Sequence, residues 1–189
     1  MRPFTNGQSS SPFDWVAQNP DIHDVYLVGR WLQEFRVEEG IPRLWPEGPI
    51  APVILDKELA QTIEQDFRRT VTWLRQRGKT VYVFTSVPDY DYAPADIMAR
   101  NQIVPWKHSI EVSAQDYAHR QKPVSEILTK LRAEGLLTII PLGEAMLSGN
   151  QTVFMSPIGE PYYRDYDHLT PLGARHASEI IAPLLWPKR

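Results

Sequence analysis

The residues best suited to chemistry stand together near the C-terminus, in Tyr163-Arg164-Asp165-Tyr166-Asp167-His168-Leu169-Thr170-Pro171. Two residues separate Asp165 from His168, close enough for a carboxylate and an imidazole on one loop to converge. A carboxylate at one ring nitrogen fixes the tautomer and stabilises the imidazolium, leaving the other nitrogen as a general base for a hydroxyl nucleophile. His168 is therefore the candidate base and Asp165 its orienting partner; a solvated acidic turn before a helix has the same spacing. Asp165, Asp167 and His168 are also metal-ligand types, but the glycine and distal glutamate of a calcium loop are missing, and no metal site is expected. Asp116 and His119 repeat the Asp-x-x-His spacing inside an expected helix, where an i, i+3 pair is a surface contact.

Other candidates are weaker. Gly29-Arg30-Trp31 follows an apolar run. Gly29 lets the backbone approach a ligand, so its N–H is a candidate oxyanion donor on a substrate loop with Arg30 and Trp31. Equally, the glycine ends a strand and the tryptophan covers the core. Asp89-Tyr90-Asp91-Tyr92 has the tyrosines of a carbohydrate-contacting loop, or of an ordinary polar one. His23 is expected on the opposite rim from the other candidates, His108 has no carboxylate before Glu111, and His176 is expected to pack on the closing helix.

The elements that must position these residues are readable from periodicity. Val25-Tyr26-Leu27-Val28 is a β-rich run ending at Gly29. Over residues 56–77, Leu59, Ile63, Phe67, Val71 and Leu74 recur every three or four residues and predict a helix with Asp56 as its cap and Gly78 as its stop. Thr80-Val81-Tyr82-Val83-Phe84 follows at once as a second buried strand. Strand, helix, strand with a short return is the pattern of a parallel sheet. Residues 13–18 suggest a short helix, residues 30–54 a long loop with a helical turn at 32–35, and residues 95–100 another short helix. Residues 114–134 read as a helix interrupted near Pro123, because proline clashes with the preceding turn. A third strand at 137–140, a helical turn at 144–147 and a hairpin around Gly159 come next. Thr170 and Pro171 open a closing helix to Leu184, with Leu172, His176, Ile180 and Leu184 in one row.

Composition sets outer limits. The 189 residues predict an irregular lead-in over 1–12 and a single α/β domain over 13–189. A net charge of −3 with no basic stripe argues against nucleic acid as a partner. The absence of cysteine excludes disulfides, thiolate zinc sites and cysteine nucleophiles. No apolar run approaches the roughly 18 residues of a membrane span, and residues 1–7 lack the apolar core of a signal peptide. Neither a Gly-x-Ser-x-Gly elbow nor a Walker or Gly-x-Gly-x-x-Gly loop is present.

The block Asp165-Tyr166-Asp167-His168-Leu169-Thr170-Pro171-Leu172-Gly173-Ala174 resembles the final motif of SGNH (GDSL-like) hydrolases. It is most similar to the C-terminal SGNH domain of family 3 membrane acyltransferases, the O-antigen and exopolysaccharide O-acetylation proteins. Asp24 to Trp31, Val81 to Pro88 and Leu137 to Leu142 are similar to strands of that subfamily, and the likeness covers roughly residues 13–186. The resemblance implies a three-layer, flavodoxin-like α/β fold with a parallel sheet. It also implies serine-based O-acyl transfer or ester hydrolysis on a cell-envelope glycan, without a cofactor, on the periplasmic side of the inner membrane. An acyl donor, a glycan acceptor and an acyltransferase transmembrane domain are the implied partners. Asp165 and His168 match the triad's acid and base, and Gly29-Arg30-Trp31 occupies the place of an oxyanion block without its asparagine. The Gly-Asp-Ser block that carries the nucleophile is absent, so the sheet is expected to lack its first, central strand and the chain to be a truncated gene product, the result of a misplaced start, or an incomplete domain. On that expectation the pure chain is poorly soluble or does not hydrolyse p-nitrophenyl acetate. The other reading is a degenerate, non-catalytic module that binds glycan or a partner through the Asp89–Tyr92 and Trp31 loops.

Overall fold

A computed structural model of the chain describes residues 12–31, 57–105 and 107–185. The expected lead-in before Pro12, the loop beyond Trp31 with its helical turn, and the Asp56 cap lie outside these residues.

Elements follow in the order α1 (Pro12–Gln18), β1 (Asp24–Leu27), α2 (Lys57–Arg75), β2 (Thr80–Phe84), α3 (Pro94–Ile103), α4 (Ala114–Ala133), β3 (Thr138–Ile140), a 3-10 turn (Glu144–Met146), β4 (Leu147–Ser148), β5 (Gln151–Thr152) and α5 (Pro171–Leu185). The three long strands form a parallel sheet in the order β1-β2-β3, with β1 and β3 at its edges among the described residues. Val25 pairs with Val81 and Val83 with Ile139. β4 and β5 make a separate antiparallel hairpin.

The register of β2 divides the core. Val81 and Val83 face a cluster with Val71 and Leu74 of α2 and Val124, Leu128 and Leu131 of α4. Tyr82 and Phe84, pointing the other way, pack against a second cluster with Ala177 and Ile181 of α5 and the buried Tyr90, Tyr162 and Tyr163. Alternation along one strand thus produces three layers, helices on either side of the sheet. The α2-to-β2 return is tight because Gly78 adopts φ +77, which side chains disfavour, and lets the Lys79 N–H reach the Leu74 carbonyl. Lys79 itself is buried, and its Nζ donates to the carbonyls of Asn19 (2.6 Å) and Ile22 (2.7 Å), fastening the lead into β1.

Two expectations are corrected. α4 runs unbroken through Pro123. The proline removes a single N–H bond, to the carbonyl of the solvent-exposed His119, and the Ser113–Asp116 capping box secures the helix start. On α5, the buried face is Gly173, Ala177 and Ile181 rather than the row through Leu172, His176, Ile180 and Leu184. Gly173 decides this: a Cβ there would stand 2.2 Å from the Tyr162 carbonyl oxygen, so only a small-residue face can approach so closely.

Candidate active site

The loop that carries Asp165 and His168 is pinched at its base. Tyr163 pairs with Leu169 as an antiparallel bridge, the Thr170 N–H donates to the Tyr162 carbonyl (2.8 Å), and the Arg164 N–H donates to the His168 carbonyl (2.9 Å). Thr170 caps α5 as expected, its Oγ1 accepting the Gly173 N–H at 3.1 Å while donating to the Pro161 carbonyl at 3.0 Å. The Tyr163 ring is fully buried below the loop, and burial raises its phenol well above the ordinary value. Tyr90 packs edge-on against it, 4.8 Å between ring centres.

At the tip, Asp165 folds the chain around its own carboxylate. Oδ1 accepts the backbone N–H groups of Asp167 (3.1 Å) and His168 (2.8 Å), an Asx turn that brings the imidazole back over the same carboxylate. Nδ1 of His168 then lies 3.0 Å from both Asp165 oxygens. Partial burial pushes the Asp165 carboxyl up, but the two backbone N–H groups and the imidazole outweigh it and hold the pKa at about 2. The carboxylate is therefore ionised throughout the neutral range. With its proton directed at Asp165 through Nδ1, the ring leaves Nε2 without a hydrogen bond among the described residues, and the side chain is 61% exposed. This is the arrangement that a general base requires.

The loop sits on the rim at the C-terminal ends of the strands. The Tyr90 N–H, just past β2, donates to the Tyr166 carbonyl at 2.9 Å. Arg30, just past β1, stacks over the Tyr166 ring at 5.1 Å and pairs through Nε with Asp167 Oδ2 at 2.6 Å. Open α/β sheets bind ligands on this rim.

Asp167 has a different environment from Asp165. Its side chain is 6% exposed. Burial raises its pKa, with Arg30 and His168 opposing that and Asp165 reinforcing it. Oδ1 stands 3.1 Å from His168 Nδ1 but off the N–H direction, because the one ring proton faces Asp165. The sequence marks Asp167 only as a poor metal ligand and Arg30 only as a residue of a candidate oxyanion or substrate loop. The signal for their pairing was modest: an arginine after a strand-ending glycine, and an extra acid between Asp165 and His168.

The remaining candidates are placed as follows. The Trp31 ring packs over Gly29 and edge-on to Phe67, and its Nε1 donates to the Phe84 carbonyl at 2.7 Å, so it covers the core. The Gly29 carbonyl accepts from Ser86 Oγ at 3.5 Å. Within the Asp89–Tyr92 segment, Asp89 and Tyr90 point inward while Tyr92 is exposed. Tyr90 and Asp89 are buried, Tyr90 donates to Thr152 Oγ1 (3.0 Å), and Arg120 holds the Asp89 carbonyl (2.9 Å) and the Asp91 carboxylate (3.3 Å). Burying a tyrosine body between α5 and the sheet outweighs leaving it wet. Asp116 is spent on the Ser113 capping box. His176 stacks on Tyr162 at 4.7 Å, and the His23 carbonyl accepts from Thr80 at the opposite rim. Asp165, Asp167 and His168 offer ligand atoms within 4.8 Å of one another. Asp165 Oδ1 accepts two backbone N–H groups, both Asp165 oxygens face the imidazole and Asp167 Oδ2 pairs with Arg30, while Asp167 Oδ1 has no hydrogen-bond partner among the described residues.

The sequence matches the family described as SGNH domain (fused to AT3 domains) over residues 8–183. The chain belongs to this family. The SGNH domain is also similar in fold to a solved structure, the periplasmic domain of a lipopolysaccharide acetyltransferase of Salmonella ser. Paratyphi A. The TM-score is 0.54 at 11% identity, over 67% of this chain and 50% of that one. The chain thus spans half the length of that solved domain. No curated protein matches the sequence. Among the described residues, no helix of this SGNH domain is long and apolar enough to cross a membrane.

Proposed function

We propose that this SGNH domain supplies the base of a serine-type acyl-transfer site acting on a cell-envelope glycan at the periplasmic face of the inner membrane, beside a membrane acyltransferase domain. One observation carries the reading: His168 presents an unengaged Nε2 on the C-terminal rim while Asp165 holds its Nδ1 from 3.0 Å. The family's fusion to AT3 domains and the fold shared with a lipopolysaccharide acetyltransferase domain support it.

The chemistry follows from the geometry. Nε2 accepts the proton of a serine hydroxyl as its oxygen attacks the acyl carbonyl, and the resulting imidazolium is stabilised by the ionised Asp165. The imidazolium returns that proton to the departing oxygen, leaving the acyl group on the serine. Nε2 next takes the proton of a sugar hydroxyl, whose oxygen attacks the acyl-enzyme carbonyl, and the imidazolium returns that proton to the serine oxygen as its bond to the acyl carbon breaks; water in the sugar's place gives hydrolysis. Gly-Asp-Ser does not occur in the 189 residues, and this reading assigns the nucleophilic serine to no residue among them.

The test is His168→Ala in the gene from which this chain derives, with glycan O-acetylation read by mass spectrometry. We expect loss of roughly 10³-fold or more of the acetyl signal, the scale on which triad members act. O-acetylation that survives the substitution at the wild-type level sinks the proposal.

A further inference from the structure

Asp165 fixes the orientation of the His168 ring within the loop, but hydrogen bonds inside an exposed tip do not fix where that tip sits on the molecule. A second path does. It starts at Arg30, whose guanidinium Nε forms an ion pair with Asp167 Oδ2 at 2.6 Å, passes through the buried Asp167 carboxylate, and ends with Oδ1 at 3.1 Å from His168 Nδ1. Arg30 in turn lies over the ring of Tyr166, whose carbonyl is tied to the Tyr90 N–H. A buried carboxylate without a counter-charge either protonates or forces its loop back into water. The guanidinium makes the burial of Asp167 tolerable, and with it the seating of residues 165–168 against the end of β1.

We propose that Arg30 and Asp167 form a positioning pair for His168, fixing the imidazole on the sheet rim and leaving Asp165 as the acceptor for its Nδ1 proton. The role rests on reading His168 as the general base. Two carboxylates flank the one ring N–H. Arg30 engages the outer oxygen of Asp167, while Arg164 approaches Asp165 Oδ2 at only 3.7 Å. Asp165, held by the backbone N–H groups, therefore accepts the Nδ1–H hydrogen bond, and Asp167, paired with Arg30, sets the distance of the ring from β1.

The experiment is ¹⁵N NMR of the imidazole in the full 189-residue chain, where ring-nitrogen shifts identify the tautomer. In the wild-type chain the neutral ring is expected to carry its proton on Nδ1. Arg30→Gln and Asp167→Asn are each expected to give a tautomer mixture, and Arg30→Lys, which keeps the charge, to retain most of the Nδ1–H form. In cells, Arg30→Gln and Asp167→Asn are expected to lower O-acetylation on the order of 10- to 10²-fold, the scale of a misplaced reacting group, with partial rescue by Arg30→Lys. An unchanged Nδ1–H tautomer in both Arg30→Gln and Asp167→Asn overturns the proposal. So does a pattern in which Arg30→Gln loses acetylation but Asp167→Asn keeps both tautomer and acetylation, which places Arg30 on the substrate directly. The NMR result needs no turnover, so it stands even where His168→Ala leaves acetylation untouched.

Discussion

At the residue scale, the two acids beside His168 differ because their surroundings differ. Asp165 accepts two backbone N–H groups and the imidazole, so its pKa falls to about 2, whereas burial raises that of Asp167. The consequences for stability have opposite signs. Asp165 contributes stability that is complete above its ordinary value and lost as pH falls through about 2; Asp167 contributes stability only below its ordinary value, lost as pH rises through its folded one. Asp165→Asn keeps the Asx acceptor but removes the charge. The melting temperature of that variant, followed from about pH 5 to about pH 2, should fall less steeply than that of the wild type. Equal slopes would mean that the Asp165 interactions do not distinguish the folded state. The same variant should reduce O-acetylation by roughly 10³- to 10⁴-fold, because an amide no longer stabilises the imidazolium or enforces its tautomer. Acetyl content of the glycan measures this.

At the element scale, α5 places the loop, and its seat depends on one contact. A Cβ at position 173 meets the Tyr162 carbonyl oxygen at 2.2 Å, a backbone atom that cannot swing aside. Gly173→Ala should therefore displace the first turn of α5 and cost about 1–3 kcal/mol in urea-unfolding measurements. Since Thr170 joins that turn to the Pro161 carbonyl, the displacement should also loosen the Asp165–His168 loop. A second element-level device is the Ser113–Asp116 capping box, which starts α4 despite the proline at position 123. Ser113→Ala should cost about 1 kcal/mol by the same measurement, and a change near zero would assign the start of α4 to packing of Tyr117 and Val124 instead.

At the scale of the whole molecule, parallel strands send every loop with chemistry to one rim and the structural ties to the other. Lys79, 3% exposed, belongs to the second rim and satisfies two backbone carbonyls. Lys79→Ala should destabilise the chain by about 1–3 kcal/mol, the cost of leaving such groups unpaired. O-acetylation per mole of folded protein should stay unchanged, and a specific loss of activity would couple the rims. The sequence alone determined the three strands of the parallel sheet, since continuous β-branched and aromatic runs such as Thr80 to Phe84 have no other stable place, and the helix over most of 57–75, through its 3.6-residue repeat. It also determined the Asp165–His168 pair and the Thr170 cap, because both are local and lie within three residues. Three things waited for the tertiary structure. The register of α5 was set by the close approach of Tyr162, the burial of Tyr90 by the space between α5 and the sheet, and the Arg30–Asp167 link by the packing of the loop onto the end of β1. Those two residues stand 137 positions apart in the chain. Periodicity reports which residues avoid water, but only the packed chain decides which distant side chains share the same buried volume.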